Sequence, residues 1–366
     1  MIKRLTAKNY GCLRDVTVDF GSLHALIGPN DSGKSTILRA IRTLADSART
    51  RSKQPGDSFD SGLHPRTDLS YFVSLEATIQ FEGAVEPVTY GAEINEVRLR
   101  HGGGISGSSE RVATGGVVYE ADTQTGPTDL LSQIPEDSAH AYALRVLSNT
   151  QYLALTEEGL RKPSGFLPRN ELRLSANGGG LPGLYFALRN DREEAFERIL
   201  HGTRKLFPTV KTVRTQPRSS TDLELEVELV DGTRVGIEQV SAGLLYYLAF
   251  AALPELLETQ TTLLLEEPEN GLHPARIREV LGVLREVTSG GRTQIILATH
   301  SPLVINELRP EEVSVVTRTL EEGTKVTPIT QTANFEKRSS VYALGELWLS
   351  YADGQTEGPL FDPKAR

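Results

Sequence analysis

Apolar positions fall along this chain in three patterns, and each predicts a kind of element. Unbroken apolar runs too short for a helix, at Leu23 to Ile27, Leu263 to Leu265 and Ile295 to Ala298, predict strands buried on both faces. Strict alternation predicts strands with one wet face, as in Leu223-Glu224-Leu225-Glu226-Val227-Glu228-Leu229, which Asp231-Gly232 turns back into Arg234 to Ile237 as a hairpin. The three glutamates of that strand are expected on its solvated face rather than around a metal. Helical spacing marks Ile37 to about Leu44, Ala139 to Leu147, and a helix from near Pro182 on which Phe196, Ile199, Leu200 and Leu206 share a face until Pro208. It recurs after Pro274, where Ile277, Val280, Leu281, Leu284 and Val287 form a core face. Short strands are predicted at Ile2 to Ala7 and Val16 to Phe20, around a turn at Asn9-Tyr10-Gly11, and at Gln151 to Leu155.

Between these elements the pattern lapses in three places. Residues 45–69 are rich in Ser, Arg, Asp, Gly and Pro without periodicity and predict a surface loop. Arg49, Arg51 and Lys53 make it locally basic, which a solvated loop explains and nucleic-acid contact would also use. From 71 to 120, β-prone segments alternate with glycine clusters and predict an antiparallel subdomain. Residues 351–366 read as a disordered tail. No repeat and no sustained heptad lies between residue 36 and Ser241.

The first buried strand runs into the chain's most specific motif. Gly28, Pro29, Asn30, Asp31, Ser32, Gly33, Lys34 and Ser35, followed by Thr36, match G-x-x-x-x-G-K-[ST] between a strand and a helix. The glycines let consecutive amides turn inward around a polyphosphate, and the helix start adds the positive end of its dipole. Lys34 is placed to reach the β- and γ-phosphates of ATP, and Ser35 to ligate Mg²⁺. About 230 residues on, the second buried strand ends in Glu266-Glu267-Pro268. Glu266 is the expected Mg²⁺ carboxylate, through water, and Glu267 the group that polarises the attacking water. The third buried strand ends in Thr299-His300-Ser301-Pro302, where His300 can hydrogen-bond a γ-phosphate. Ser241 and Gly243 open a further helix and offer a second set of anion-binding groups, or an ordinary N-cap.

Composition narrows the setting. With 366 residues the chain holds one large or two ordinary domains, and 24% charged against 38% hydrophobic residues describes a soluble globular protein. A net charge of −9 excludes a generally basic nucleic-acid coat but not a local basic groove. One cysteine, Cys12, excludes a disulfide framework within the chain and reads as a small apolar side chain. Lys3 and Arg4 precede no apolar leader, and the run Leu244 to Leu253 is too short to span a bilayer, so a cytoplasmic location away from membranes is expected.

Together the motifs resemble an ATP-binding-cassette ATPase. Gly28 to Thr36 matches its Walker A, Ser241-Ala242-Gly243 the core of its signature, Leu263 to Glu267 its Walker B with the catalytic glutamate, and His300 its switch histidine. Glu266-Glu267-Pro268-Glu269-Asn270-Gly271-Leu272-His273-Pro274 and Ala298-Thr299-His300-Ser301-Pro302 are similar to the SMC/RecF-type heads, and most of all to the AAA-type ATPases related to the overcoming-lysogenization-defect (OLD) proteins. Ser175-Ala176-Asn177-Gly178 and Leu344-Gly345-Glu346-Leu347-Trp348 are similar to the same group at lower specificity. The resemblance implies an α/β ABC ATPase head over 1–350, with a mostly parallel core sheet, an antiparallel β subdomain and a helical lobe. It also implies ATP and Mg²⁺ as cofactors and an ATP-dependent head-to-tail homodimer in which Ser241 and Gly243 of one copy cover the nucleotide of the other. The expected role is to switch an effector protein such as a nuclease, in genome maintenance or antiviral defence. A RecF-like DNA-binding repair ATPase is the alternative, with DNA as partner. A transporter subunit fits least, because His273 stands where transporters usually carry an aspartate. No long heptad arm is present, and no Toprim-like acidic cluster follows His300. The cassette's metal-sensing glutamine is not evident; Gln80 is the candidate.

Overall fold

The structure, a computed structural model, describes residues 1–49, 70–81, 84–98, 104–122, 130–168, 172–256, 261–291, 293–319, 321–332 and 335–352. A hairpin of β1 (Ile2–Tyr10) and β2 (Leu13–Asp19) leads into β3 (Leu23–Ile27), α1 (Lys34–Arg49), β4 (Ser70–Ile79), β5 (Val88–Arg98), β6 (Gly104–Thr114) and β7 (Val117–Asp122). Next come α2 (Leu130–Gln133), α3 (Ala139–Ser148), β8 (Gln151–Leu153), α4 (Glu157–Arg161), α5 (Leu181–Asp191) and α6 (Glu193–Leu206). They are followed by β9 (Val210–Pro217), β10 (Leu223–Leu229), β11 (Arg234–Gly236), α7 (Ala242–Leu256), β12 (Thr261–Glu266), α8 (Pro274–Ser289), β13 (Thr293–Thr299) and α9 (Pro302–Asn306). Finally there are β14 (Val313–Thr319), β15 (Gly323–Pro328), α10 (Phe335–Ser339) and α11 (Leu344–Ala352). The chain divides into two units, one of Met1–Gln151, Gln260–Leu264 and Thr293–Arg366, the other of Tyr152–Thr259 and Leu265–Arg292.

The first unit holds two sheets. One is antiparallel, in the order β2-β1-β4-β5-β6-β7, so the β-prone stretch after residue 70 joins the N-terminal hairpin. In the other, β3 lies between β13 and β14 and is parallel to both; β15 pairs antiparallel outside β14, and β12 follows β13. Every residue of β3 and of β13 is buried, as unbroken apolar runs require. Gln294 ties the sheets together. From a fully buried position its side chain accepts from the Ile2 amide at 2.8 Å and donates to the carbonyls of Ile2 at 2.7 Å and Gly21 at 2.8 Å.

Several elements differ from expectation. The helix ending predicted near Leu44 continues to Arg49, because Ala45, Ser47 and Ala48 carry on its buried face. The predicted loop 45–69 therefore begins as helix, and its remainder, with Arg51 and Lys53, lies outside the described residues. Arg49 is held by its own fold: its guanidinium donates to the Ser148 carbonyl at 2.6 Å, to the Thr150 carbonyl and to Asp46. The first hairpin turns at Gly11-Cys12, one step beyond the predicted site, with Asn9 and Gly11 both at positive φ. Of the predicted tail, Tyr351 and Ala352 belong to α11, and the rest lies outside the described residues.

The second unit packs α5, α6, α7 and α8 with a three-stranded antiparallel sheet in the order β11-β10-β9, so the expected helical lobe carries a sheet of its own. The long helix predicted from Pro182 is two. It breaks at Arg192 (φ −142°, ψ 58°), whose guanidinium donates to the Glu255 carbonyl at 2.6 Å, and Glu193 and Glu194 begin α6. Its apolar face of Phe196, Ile199, Leu200 and Leu206 is buried as predicted. The strand predicted to Leu155 stops at Leu153, where Thr156 caps α4 through a bond from the Gly159 amide at 3.0 Å. On β10 one glutamate departs from the solvated row. Glu228 is buried between Lys211, at 2.7 Å, and Arg214. The Lys211 hydrogen bond, with help from Arg214, holds its carboxyl below the usual carboxylate range.

Candidate functional site

In the first unit, β3 delivers the chain into Gly28 and the loop to Gly33, and α1 begins at Lys34. The loop's shape is over-determined. A Cβ on Gly28 would lie 2.2 Å from the Val316 carbonyl oxygen, because β14 runs beside β3 with Val315 opposite Ile27. Gly33 sits at φ +112°, where a Cβ would meet Thr324 Oγ1 at 2.7 Å, and Asp31 also has positive φ, at 63°. Thr324 Oγ1 donates to the Ser32 carbonyl at 2.9 Å, so the β14–β15 hairpin clamps the loop from outside. The Lys34 ammonium lies in the loop's concavity, donating to the Gly28 and Pro29 carbonyls at 2.7 Å each, and the residue is 7% exposed.

Chemically this is an anion cradle. The amides of Gly33 and Ser35 donate to no other described residue, the Ser35 hydroxyl is free among them, and the buried Lys34 ammonium stands against the carbonyls of the same loop. Pro29 is half-buried, Asn30 and Asp31 are exposed, and Ser32 is buried with its hydroxyl unpartnered among the described residues. Thr36 faces inward and accepts from Cys12 Sγ at 3.4 Å. These residues fit a nucleotide polyphosphate: the buried Ser32 hydroxyl has no partner among the described residues, the amides at the helix start are open, and a Lewis-acid cation would find the Ser35 hydroxyl there.

His300 joins the same unit. Thr299 pairs opposite Ile27, so His300 is the next residue in register beside Gly28, and its side chain is exposed. Trp348 on α11 donates its indole N–H to the His300 carbonyl at 3.3 Å, and the Gly345 amide donates to Asn306 Oδ1 at 2.7 Å. The terminal motif thus pins the strand end that carries the histidine. Gln80, the candidate metal sensor, is elsewhere. Its amide bonds the Met1 carbonyl at 2.9 Å and its side chain the Ala84 carbonyl at 3.2 Å. The adjoining Ile2 meets Gln294 at the start of β13, opposite the end that carries His300.

The second unit holds the remaining candidates. Glu266 is the last residue of β12, and its carboxylate accepts from the Tyr152 hydroxyl. Glu267 follows with φ +44°, an unusual conformation for a side-chain-bearing residue, and its carboxylate accepts from Asn270 Nδ2 at 2.8 Å. Gly271, at φ +73°, lies so close to Tyr246 that a Cβ would meet the ring at 2.2 Å. His273 caps α8, accepting from the Ala275 amide at 3.2 Å. Ser241 stands before α7 and accepts the Leu244 amide at 3.4 Å, while Gly243 would place a Cβ 3.6 Å from the Gly271 carbonyl oxygen. Arg161 steadies the approach to Ser241, pairing with Glu157 and donating to the carbonyls of Ile237 and, at 2.8 Å, Val240.

Sequence reasoning missed Tyr152, Arg161 and Thr324 as supports, and noted Trp348 only as part of the terminal motif. Only the four-residue spacing of Glu157 and Arg161 and the lone tryptophan were local signals. Among the described residues, no group of His, Cys, Asp and Glu could hold a metal by itself, and no helix is long and apolar enough to cross a membrane.

Residues 23–306 match the family described as "AAA domain, putative AbiEii toxin, Type IV TA system". The chain is 27% identical over 349 residues to the OLD nuclease of Thermus scotoductus, covering 86% of this chain and 62% of that protein. Among solved structures, the Smc head bound to the C-winged helix domain of ScpA superposes with a TM-score of 0.56 at 16% identity, covering 89% of this chain and 97% of that one. The Smc head with an extended coiled coil bound to the C-terminal domain of ScpA, derived from Pyrococcus furiosus, gives 0.53 at 14%, covering 93% and 98%. These two show the fold.

Proposed function

The chain belongs to this AAA-domain family as an SMC/OLD-like ATPase, and from that premise we propose that it is an ATP-driven switch in which two copies close on nucleotide. The phosphate loop carries the reading: Gly33 and Ser35 amides at a helix start with no acceptor among the described residues, a buried lysine against the loop carbonyls and two glycines that admit no side chain. Lys34 would bind the β- and γ-phosphates, the amides from Gly33 onward would cradle the phosphates, and Ser35 and Glu266 would hold Mg²⁺. The metal's contribution is to neutralise the charge that builds on the transferred phosphoryl group. Glu267 orients and polarises the attacking water, and His300 meets the γ-phosphate. Ser241 and Gly243, with the start of α7, supply anion-binding groups to the nucleotide of a second copy. Closure then moves an effector such as a nuclease, in genome maintenance or antiviral defence. The name of the Thermus scotoductus relative supports that choice, and the chain spans under two thirds of that protein.

Turnover and binding separate the roles. Glu267→Gln keeps ATP binding and loses hydrolysis, and Lys34→Ala loses binding, both read by equilibrium binding and phosphate release. Wild-type hydrolysis by Glu267→Gln would remove Glu267 from its role.

A further inference from the structure

Glu266 carries one more methylene than an aspartate would, so its carboxylate has an extra torsion to fix. The structure fixes it from β8. The Tyr152 hydroxyl donates to Glu266 Oε2, leaving the other oxygen free to accept from a metal-bound water. The strand that carries Tyr152 is held in turn. Leu155, just beyond it, accepts from the Tyr246 hydroxyl at 3.2 Å, and the Tyr246 ring lies against Gly271 in the loop after the acidic pair. Tyr246 belongs to α7, the helix that opens behind Ser241. A hydrogen bond, a short strand and a packed ring thus run without interruption from the Glu266 carboxylate to the helix of the serine-glycine pair.

We propose that Tyr152 is a positioning residue for the Mg²⁺ carboxylate, and that Tyr246 ties that carboxylate to the signature helix. The inference rests on the assignment of Glu266 above. A second-sphere hydrogen bond fixes the rotamer of a metal-binding carboxylate, and its loss costs metal affinity rather than fold.

The test is an Mg²⁺ titration of ATP turnover in the full chain, with thermal melting and metal-free ATP binding measured alongside. Tyr152→Phe keeps the ring and removes the donor. The Mg²⁺ needed for half-maximal turnover should rise about tenfold, with metal-free ATP binding and melting unchanged. An unchanged Mg²⁺ requirement overturns the proposal. If Tyr152→Phe proves too unstable to assay, Tyr246→Phe takes its place; it should raise the requirement in the same direction, and no rise overturns the proposal equally. Glu266→Gln separates this failure from failure of the underlying reading. If that variant loses turnover or raises the Mg²⁺ requirement and Tyr152→Phe titrates like wild type, only the role of Tyr152 falls. If Glu266→Gln titrates like wild type, the assignment of Glu266 itself falls.

Discussion

The phosphate loop and the acidic loop are held by different means. Around Gly28 to Lys34 the fixing contacts all end on main chain: the Val316 carbonyl stands against Gly28, Thr324 Oγ1 donates to the Ser32 carbonyl, and the Lys34 ammonium donates to the Gly28 and Pro29 carbonyls. Around Glu266 to His273 side chains do the fixing: Tyr152 on Glu266, Asn270 on Glu267, and the Tyr246 ring on Gly271. A loop shaped by main chain tolerates few residue types and so appears as a fixed pattern. A loop shaped by distant side chains leaves its own residues recognisable and its supports invisible.

Adding a methyl group at each loop tests this contrast most severely. Gly28→Ala sets a Cβ 2.2 Å from a carbonyl inside the sheet, which cannot yield without moving β14. It should abolish ATP binding and destabilise the chain by about 1–3 kcal/mol, read by calorimetry and chemical denaturation. Gly271→Ala meets the Tyr246 side chain rather than sheet backbone, at φ +73°. It should leave ATP binding intact and slow turnover about tenfold, the equivalent of about 1.4 kcal/mol in the barrier. Equal losses of binding in the two variants would erase the distinction.

How far the sequence was legible follows the same division. The buried strands β3, β12 and β13 were plain from their apolar runs, and the G-x-x-x-x-G-K-S pattern located the cradle, because both depend on neighbours in sequence. The break at Arg192 was not legible, since no glycine or proline marks it and the Glu255 carbonyl that engages the arginine lies 63 residues away. The clamp of Thr324 on Ser32 spans 292 residues and leaves no local trace. The burial of Glu228 depended on Lys211 and Arg214 of the neighbouring strand, so alternation alone placed it in solvent.

An effect confined to acid pH sharpens the comparison from the phosphate-loop side. His24 lies buried in β3, with Nε2 3.0 Å from Ser314 Oγ, and burial pulls its pKa down to about 4 against attraction from Asp19 and Glu312. The unfolded chain therefore binds a proton between about pH 6.5 and 4 that the folded chain refuses. Stability contributed by the neutral ring is complete above pH 6.5 and falls as the pH drops, by up to about 3 kcal/mol near pH 4. His24→Phe should flatten that part of the pH–stability curve, measured by denaturant melts across the range. An unchanged slope would assign the acid sensitivity to other groups.

The central claim, that the phosphate loop of one copy and the Ser241-Gly243 pair of a second enclose one nucleotide, is tested most directly by sedimentation of Glu267→Gln with and without ATP and Mg²⁺. The account predicts a monomer without nucleotide and a dimer with it, because nucleotide bound between copies stabilises the closed form by mass action, and Ser241→Arg in the same background should return the monomer. A monomer in both conditions, or a dimer that forms without ATP, would contradict it.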